Sequence, residues 1–410
     1  MAARTRWVVL GGSFIAYMFD ALEIILLSLA LPAIRNDMHF TPLQGGLLAT
    51  ATLLGIGLSS VLAGYLADNF GRKKALIASL VTFGLFTAVL AFVPNFELFL
   101  LFRFVAGFGL GGVWGVVSTY VVETWPAPKR GRAAAFVLSS FPIGGAVAAV
   151  MSGFFLPDWR LMFLVAGVAV IVPVLIVVFA FDESSEWTQE KAKRAAAGDV
   201  RNVSVAQIFT PSLRRTTILA TLVAALALTG WWGASTWLPT YLTTERGVAP
   251  ATVAVYMTVL NLGMFVGYNV FGMIADRFGR RPAIIMTLLG VGVTLPLYAL
   301  TSNLTALLWF GPLFAFFAAF TGLFGSYLGE LFPTRVRTTG AGFCFNVGRG
   351  VSAFAPLALG ALTAVMTLGS GLLICAGIFL VGALVMFLLP RTGDEPDAVQ
   401  QPRGSLSATA

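Results

Sequence analysis

Two carboxylates lie inside the first long apolar stretch of this sequence, where a charge is costly. Asp20 and Glu23 are three residues apart, so a helix places them on one face, one turn from each other. A charge at the middle of a bilayer costs about 3 kcal/mol or more. Neighbouring carboxylates in a low dielectric oppose each other's ionisation, so one of them is suited to bind and release a proton. We interpret both as proton-coupling residues; alternatively, they are structural and an arginine of another span satisfies them.

Arg349 is a third charge in an apolar stretch, about twelve residues from its start. A guanidinium keeps its charge and pairs with a carboxylate through two parallel hydrogen bonds. We expect Arg349 to bind an organic anion, with help from Asn346 one turn earlier. The alternative is an ion pair with Asp20 or Glu23, and the two arrangements could alternate if substrate and proton replace the pair.

Arg103 is the fourth such charge, and it begins a segment containing Gly107, Gly109, Gly111 and Gly112. One expectation for this residue is that it extends its head group to the membrane surface. Trp237 and Tyr241, near the end of a stretch, are expected to anchor the membrane interface. The polar and aromatic candidates for binding a substrate are Tyr120, Trp231, Asn261 and Tyr268, and Trp114, Trp232, Asn269 and Tyr327 are weaker candidates of the same kind.

The elements that position these residues are predicted to be membrane-spanning helices. Of 410 residues, 58% are hydrophobic and 11% are charged, against about a quarter charged in soluble proteins, which excludes an ordinary soluble enzyme. Alternation of apolar and polar residues, typical of a membrane barrel, is missing from the sequence. We predict an all-α membrane protein with twelve transmembrane helices in two pseudo-symmetric six-helix bundles. The predicted spans are 7–34, 45–67, 75–93, 96–122, 133–155, 161–181, 217–241, 253–274, 283–300, 304–328, 338–365 and 372–389.

Lysine and arginine predict the orientation of the bundle. With the N-terminus inside, 21 of the 26 basic residues fall in cytoplasmic segments, so both termini are expected to be cytoplasmic. We divide the chain into an N-terminal bundle (1–181), a cytoplasmic linker (182–215), a C-terminal bundle (216–390) and a disordered tail (391–410). The expected location is the plasma membrane, as a multi-pass protein, and the bacterial inner membrane in particular.

The two halves carry the same motifs. Gly64-Tyr-Leu-Ala-Asp68-Asn-Phe-Gly71-Arg72 recurs 208 residues later as Gly272-Met-Ile-Ala-Asp276-Arg-Phe-Gly279-Arg280. Glu123-Thr-Trp-Pro126 with Arg130 recurs 207 residues later as Glu330-Leu-Phe-Pro333 with Arg337. Repeated bundles place a cavity between them near the middle of the membrane, which favours alternating access. We interpret both motifs as a cytoplasmic gate: the aspartates and glycines form a latch, and Glu123 with Arg130 and Glu330 with Arg337 brace it.

Other classes of site find little support in the sequence. The basic residues form no continuous stripe, so nucleic-acid binding is not expected. Two cysteines, Cys344 and Cys375, and one histidine, His39, supply neither a disulfide framework nor a multi-ligand metal site. We expect no catalytic residues, no metal and no cofactor.

The doubled motif on twelve spans resembles the major facilitator superfamily of secondary transporters. Asp20-Ala-Leu-Glu23 is similar to the paired acidic motif of its metabolite:proton symporters for aromatic acids, sialate and lactate. Arg103 resembles the arginine of the superfamily's fourth-span motif, which implies a proton-coupling role as the alternative to an interfacial position. Glu330-Leu-Phe-Pro-Thr-Arg335-Val-Arg337 followed by Phe345-Asn346-Val-Gly348-Arg349 resembles the sialate and lactate branch. The aromatic-acid group usually has Asp-Gly-x-Asp, whereas this chain has alanine at 21 and glutamate at 23.

The sequence therefore predicts a secondary active transporter that imports a small organic anion, a carboxylate, together with protons. The expected partners are the anion, protons and the lipid bilayer, and the protein is expected to act as a monomer. A proton-antiporting exporter, a uniporter of organic ions and a transporter-like sensor are the alternatives. An organic cation bound directly by Asp20 and Glu23 is a further chemical alternative.

Overall fold

The computed structural model describes residues 3–126, 130–184, 187–189, 205–333 and 336–390. The surroundings of Gly64, Asp68, Arg130 and Arg337 lie outside this description, as do most of the predicted linker and the whole predicted tail. Within the described ranges the chain forms helices and loops and no strand, which confirms the predicted all-α fold.

Sixteen α-helices are described, and a 3-10 helix over Val205–Phe209 precedes the ninth. In chain order they are α1 (Ala3–Met38), α2 (Pro42–Phe70), α3 (Arg72–Leu90), α4 (Phe96–Thr124), α5 (Arg130–Leu138), α6 (Ser140–Phe155), α7 (Trp159–Ala169), α8 (Ile171–Ala180), α9 (Arg214–Thr244), α10 (Pro250–Phe278), α11 (Arg280–Leu300), α12 (Leu304–Phe317), α13 (Phe320–Glu330), α14 (Arg337–Ser352), α15 (Ala355–Leu362) and α16 (Leu368–Met386).

Eleven segments of the described chain are long and apolar enough to cross a membrane. Three of these spans are each built from two consecutive helices: α5 with α6, α7 with α8, and α12 with α13. The predicted span 338–365 is divided into α14, of 16 residues, and α15, of 8 residues. Pro356 lies in the first turn of α15, where a missing N–H is tolerated, whereas a continuous helix would need that N–H.

The two halves begin their equivalent helices with equivalent residues. The Asn95 side chain accepts a hydrogen bond from the Leu98 amide at 3.0 Å and so caps α4. Asn303, 208 residues later, accepts one from the Ala306 amide at 3.1 Å and caps α12. The two halves therefore share a helix-capping residue as well as the sequence motifs.

The halves α1–α8 and α9–α16 meet mainly through four helix pairs, α1 with α9, α2 with α14, α2 with α15 and α6 with α10. We call the end of the bundle that carries the Gly71 and Gly279 turns the motif end, and the opposite end the far end. At the far end, a methyl group on Gly46 would lie 2.6 Å from the Pro356 carbonyl oxygen, and one on Gly360 would lie 2.7 Å from that of Pro42. The two halves are thus in tight contact at the far end.

Candidate functional site

A cavity of about 240 Å³ lies between the two halves. Its described walls are mostly aromatic and aliphatic, and Arg349 is the only charged residue among them. The lining residues used below are Tyr17, Trp114, Trp231, Tyr268, Thr321, Phe345, Asn346 and Arg349. The cavity also reaches Leu328, two residues before the Glu330 motif, so it extends toward the motif end.

Arg349 lies in the last turn of α14, directly before the break that separates α14 from α15. Its guanidinium carbon is 4.9 Å from the centre of the Phe345 ring, one turn earlier on the same helix. Asn346 also lines the cavity, and its Oδ1 accepts a hydrogen bond from the Ser60 hydroxyl of α2 at 3.4 Å. The predicted pair of binding residues therefore lies together on one wall.

Glu23 pairs with Arg103 rather than with Arg349. The Glu23 Oε1 atom accepts a hydrogen bond from Arg103 Nη1 at 2.9 Å, and the two side chains are 1% and 0% exposed. Arg103 Nε donates to the Thr52 hydroxyl at 3.0 Å. The extended, interfacial position considered for Arg103 is wrong, because a carboxylate at hydrogen-bond distance holds the guanidinium in the interior.

Asp20 is buried at 4% exposure, and its Oδ1 atom has no hydrogen-bond partner among the described residues. It interacts electrostatically with Arg349 without forming an ion pair in the described chain. Tyr17 lines the cavity one turn earlier on α1 and lies near both of them. Sequence reasoning missed Tyr17, although its three-residue spacing from Asp20 places it on the same helix face.

Four of the polar and aromatic candidates lie where we expected them: Trp231 and Tyr268, and the weaker candidates Trp114 and Trp232. All four line the cavity, and the Tyr268 hydroxyl is hydrogen-bonded to that of Thr321. Tyr120 and Asn261 do not line it, which corrects their predicted role. Tyr120 donates to the Asp182 carbonyl at 3.1 Å, and Asn261 donates to the Met257 carbonyl of its own helix at 2.7 Å.

The predicted position of Trp237 and Tyr241 at the membrane interface is wrong, since both side chains are 0% exposed. The Trp237 indole N–H donates to the Pro356 carbonyl at 3.0 Å, which ties α9 to α15 at the far end. The Tyr241 hydroxyl donates to the Ala299 carbonyl at 3.0 Å. A buried carbonyl group satisfies each polar tip, so neither residue needs the membrane interface.

The motif residues join helices within each half. Arg72 Nη2 is 3.2 Å from Glu123 Oε1, and Arg280 pairs with Glu330 in the same way. The predicted pairing of the glutamates with Arg130 and Arg337 falls on side chains outside the described part and stays a prediction. Each pair joins the start of one span to the end of the next span, so it braces a half instead of joining the two halves.

Gly71 and Gly279 make possible the two turns that directly precede α3 and α11. Their φ angles are 109° and 91°, a region that favours glycine. Asp276 is exposed and lies close enough to Arg280 to interact electrostatically. Gly272 lies in α10 with open space around it, so no close packing explains this member of the motif.

Glu183 joins the motif end of the N-terminal half, and sequence reasoning missed it. Its Oε1 atom accepts hydrogen bonds from the Arg72 and Lys73 amides at 2.8 and 3.2 Å, at the positive end of α3. No periodicity or repeat marks this residue, because the position 208 residues later is Arg391.

Comparison with known proteins agrees with this architecture. The family model described as the Major Facilitator Superfamily matches residues 13–268 and 220–408. The chain belongs to this superfamily. The predicted family and twelve-span fold are thus confirmed, and the chain is a multi-pass membrane transporter rather than an enzyme.

Several relatives within the superfamily match most of the chain. The cis,cis-muconate transport protein of Acinetobacter baylyi is 28% identical over 94% of this chain and 94% of its own length. The niacin transporter NiaP of the same organism is 29% identical over 86% of this chain and 85% of its own. The sialic acid transporter NanX of Escherichia coli is 27% identical over 93% and 92%.

The fold is also that of a solved superfamily member. The partially occluded, inward-open structure of the xylose transporter XylE from E. coli has a TM-score of 0.77 at 16% identity. It covers 94% of this chain, which covers 98% of that structure. This likeness establishes the arrangement of the helices.

Proposed function

We propose that this transporter carries a small organic carboxylate into the cell together with protons. The observation that carries the proposal is the placement of one guanidinium, Arg349, in an aromatic cavity beside the buried carboxylate of Asp20. The named relatives transport muconate, niacin and sialic acid, which share a carboxylate group and differ in the rest of the molecule. Arg349 supplies the group that recognises what these substrates share.

The position of Asp20 supplies a reason for coupling. A carboxylate that binds Arg349 brings a second negative charge close to Asp20, in surroundings of low dielectric where the repulsion is strong. Protonation of Asp20 removes this repulsion. Acid and proton therefore bind the same conformation more tightly together than either does alone, and this coupling is reciprocal.

Glu23 is proposed to act differently from Asp20. Its charged hydrogen bond to Arg103 ties α1 to α4 inside the N-terminal half. Protonation of Glu23 weakens this bond, because a charge-assisted hydrogen bond is about twice as strong as a neutral one. A proton at Glu23 thus loosens α1, the helix that also carries Asp20 and Tyr17.

The bundle is proposed to lie in the inner membrane with the motif end toward the cytoplasm, as the distribution of basic residues indicates. With the halves in contact at the far end, the structure then corresponds to the inward-facing stage. The proposed units are an N-terminal bundle and a C-terminal bundle that rock against each other as a monomer.

Purified protein in liposomes tests the proposal. Labelled nicotinate, cis,cis-muconate and N-acetylneuraminate are offered one at a time, with and without an inward proton gradient, and tetraethylammonium serves as the cation. We expect at least one acid to accumulate only with the gradient, and a protonophore to abolish the accumulation. Uptake that ignores the gradient contradicts coupling, and transport of the cation alone contradicts the anion site.

A further inference from the structure

Three side chains form a column that runs from one half of the transporter to the other. Arg349 lies with its guanidinium carbon 4.9 Å from the centre of the Phe345 ring. Trp114 of α4 stacks on Phe345, with ring centres 5.7 Å apart and ring planes 24° apart. All three residues line the cavity. The column thus starts at the cation of the C-terminal half and ends at an indole of the N-terminal half.

Besides its electrostatic interaction with Asp20, the guanidinium of Arg349 has few described contacts. Among the described residues, no hydrogen bond or ion pair engages its nitrogens, and the Phe345 ring is its described side-chain contact. A guanidinium over an aromatic face is attracted by the ring, and more strongly where water is excluded. This attraction occupies the face of the guanidinium and leaves its edge, with the N–H groups, free for a carboxylate.

We propose that Trp114 and Phe345 are positioning residues for the substrate carboxylate, with Trp114 acting on Arg349 through the Phe345 ring. Phe345 and Arg349 belong to one helix, so they keep their relation when the halves move. Trp114 belongs to the other half, so it supports the ring only while α4 and α14 lie in contact. The affinity for the acid is then highest when the halves meet around the cavity and falls as they part, which favours release.

This inference rests on the proposed binding of an acid at Arg349, and its closing experiment separates the two. The first measurement needs no substrate: purified protein is treated with phenylglyoxal, and modification of Arg349 is followed by mass spectrometry of its peptide. Trp114→Ala and Phe345→Leu should raise the rate of modification about fivefold, because they free the guanidinium. Trp309→Ala is the matched control, since Trp309 is 64% exposed on the outer surface of α12.

The second measurement is initial-rate transport of whichever acid the wild type carries. Trp114→Ala and Phe345→Leu should raise KM about five- to tenfold with little change in the maximal rate. Phe345→Tyr, which keeps the ring, should restore the wild-type KM. The double variant should be no worse than either single one, since both changes remove the same support.

Each outcome decides one of the two proposals. If the modification rate of Arg349 does not change, or if it rises while the KM of a transported acid does not, the column is not a positioning device. Additive increases of KM in the double variant also overturn the positioning role of the column. If the wild type carries no acid, the proposed function fails, and the modification rate alone decides whether the column holds Arg349. If Trp114→Ala does not insert, Trp114→Leu replaces it.

Discussion

At the motif end, the two halves of the transporter are nearly copies of each other. Arg72 with Glu123 corresponds to Arg280 with Glu330, at displacements of 208 and 207 residues. Hydrogen bonds from basic side chains to main-chain carbonyls correspond too. The Lys73 side chain donates to the Val178 carbonyl at 2.8 Å, and the Arg281 side chain, 208 residues later, donates to the Met386 carbonyl at 3.3 Å. Each half therefore has the same ion pair and the same side-chain contact with a main-chain carbonyl at this end.

In the middle of the membrane the halves differ. The positions 207 and 208 residues after Glu23 are Gly230 and Trp231, and those after Arg103 are Phe310 and Gly311. The positions 207 and 208 residues before Arg349 are Pro142 and Phe141. None of these counterparts is ionisable. Contacts needed by both halves for movement are thus kept in both, whereas charges that would act on a substrate or a proton occur once.

The largest predicted effect concerns Arg349, the charged residue among the described walls of the cavity. Arg349→Ala should raise the KM for a transported acid about 100-fold, because a hydrogen-bonded charge contributes up to about 3 kcal/mol. Initial rates of uptake into liposomes measure it. Arg277→Ala, an exposed arginine at the motif end, is the control and should leave KM unchanged. An unaltered KM in Arg349→Ala would remove this residue from the site.

The next effect concerns the acidic residues of α1. With one proton per monovalent acid, a pH difference of about one unit drives about tenfold accumulation, since one unit is worth about 1.4 kcal/mol. Glu23→Gln and Asp20→Asn should reduce accumulation to the level seen without a gradient, while exchange of labelled for unlabelled acid continues. Accumulation as in the wild type would show that the substituted group does not carry the proton.

A smaller effect should distinguish the two braces. The Arg72 and Glu123 side chains are 11% and 12% exposed, against 31% and 39% for Arg280 and Glu330, so solvent screens the second pair more. Arg72→Ala should lower the melting temperature of purified protein more than Arg280→Ala, whose ion pair is worth about 1 kcal/mol or less. A larger loss in Arg280→Ala would contradict this ranking.

The smallest effect tests the equivalence of the halves directly. Tyr120 donates to the Asp182 carbonyl, and Tyr327 donates to the Pro390 carbonyl at 2.9 Å. Tyr120→Phe and Tyr327→Phe should each cost about 1 kcal/mol of stability. Thermal unfolding of the two single variants and the double variant should give additive losses, because the sites share no partner. A loss in only one half would contradict the equivalence.

The sequence predicts much of the fold because its signals are local or repeated. Apolar stretches of spanning length and the recurring glycine turns each describe a helix or its end without reference to the rest of the chain. The division of the span 338–365 is harder to predict. Pro356 indicates it, but a proline inside a membrane helix is often tolerated.

The site is predicted only in part, because its partners come from distant helices. Burial of charge singles out Asp20, Glu23, Arg103 and Arg349, but not which carboxylate meets which arginine. The pairing of Glu23 with Arg103 depends on α1 packing against α4, which no spacing in the sequence reports. Tyr120 and Asn261 are of the same residue types as candidates that do line the cavity. Their side chains bind carbonyl groups elsewhere, and the sequence does not report this difference.

The break between α14 and α15 divides one membrane span into two segments with different contacts. The segment before it carries the anion-binding candidate, and the segment after it makes the close contacts with Gly46 and Trp237 at the far end. Substitutions that change which acid fits therefore need not disturb the seal against the opposite side of the membrane. A lineage of such transporters can diversify its substrates on one segment while the barrier on the other stays intact.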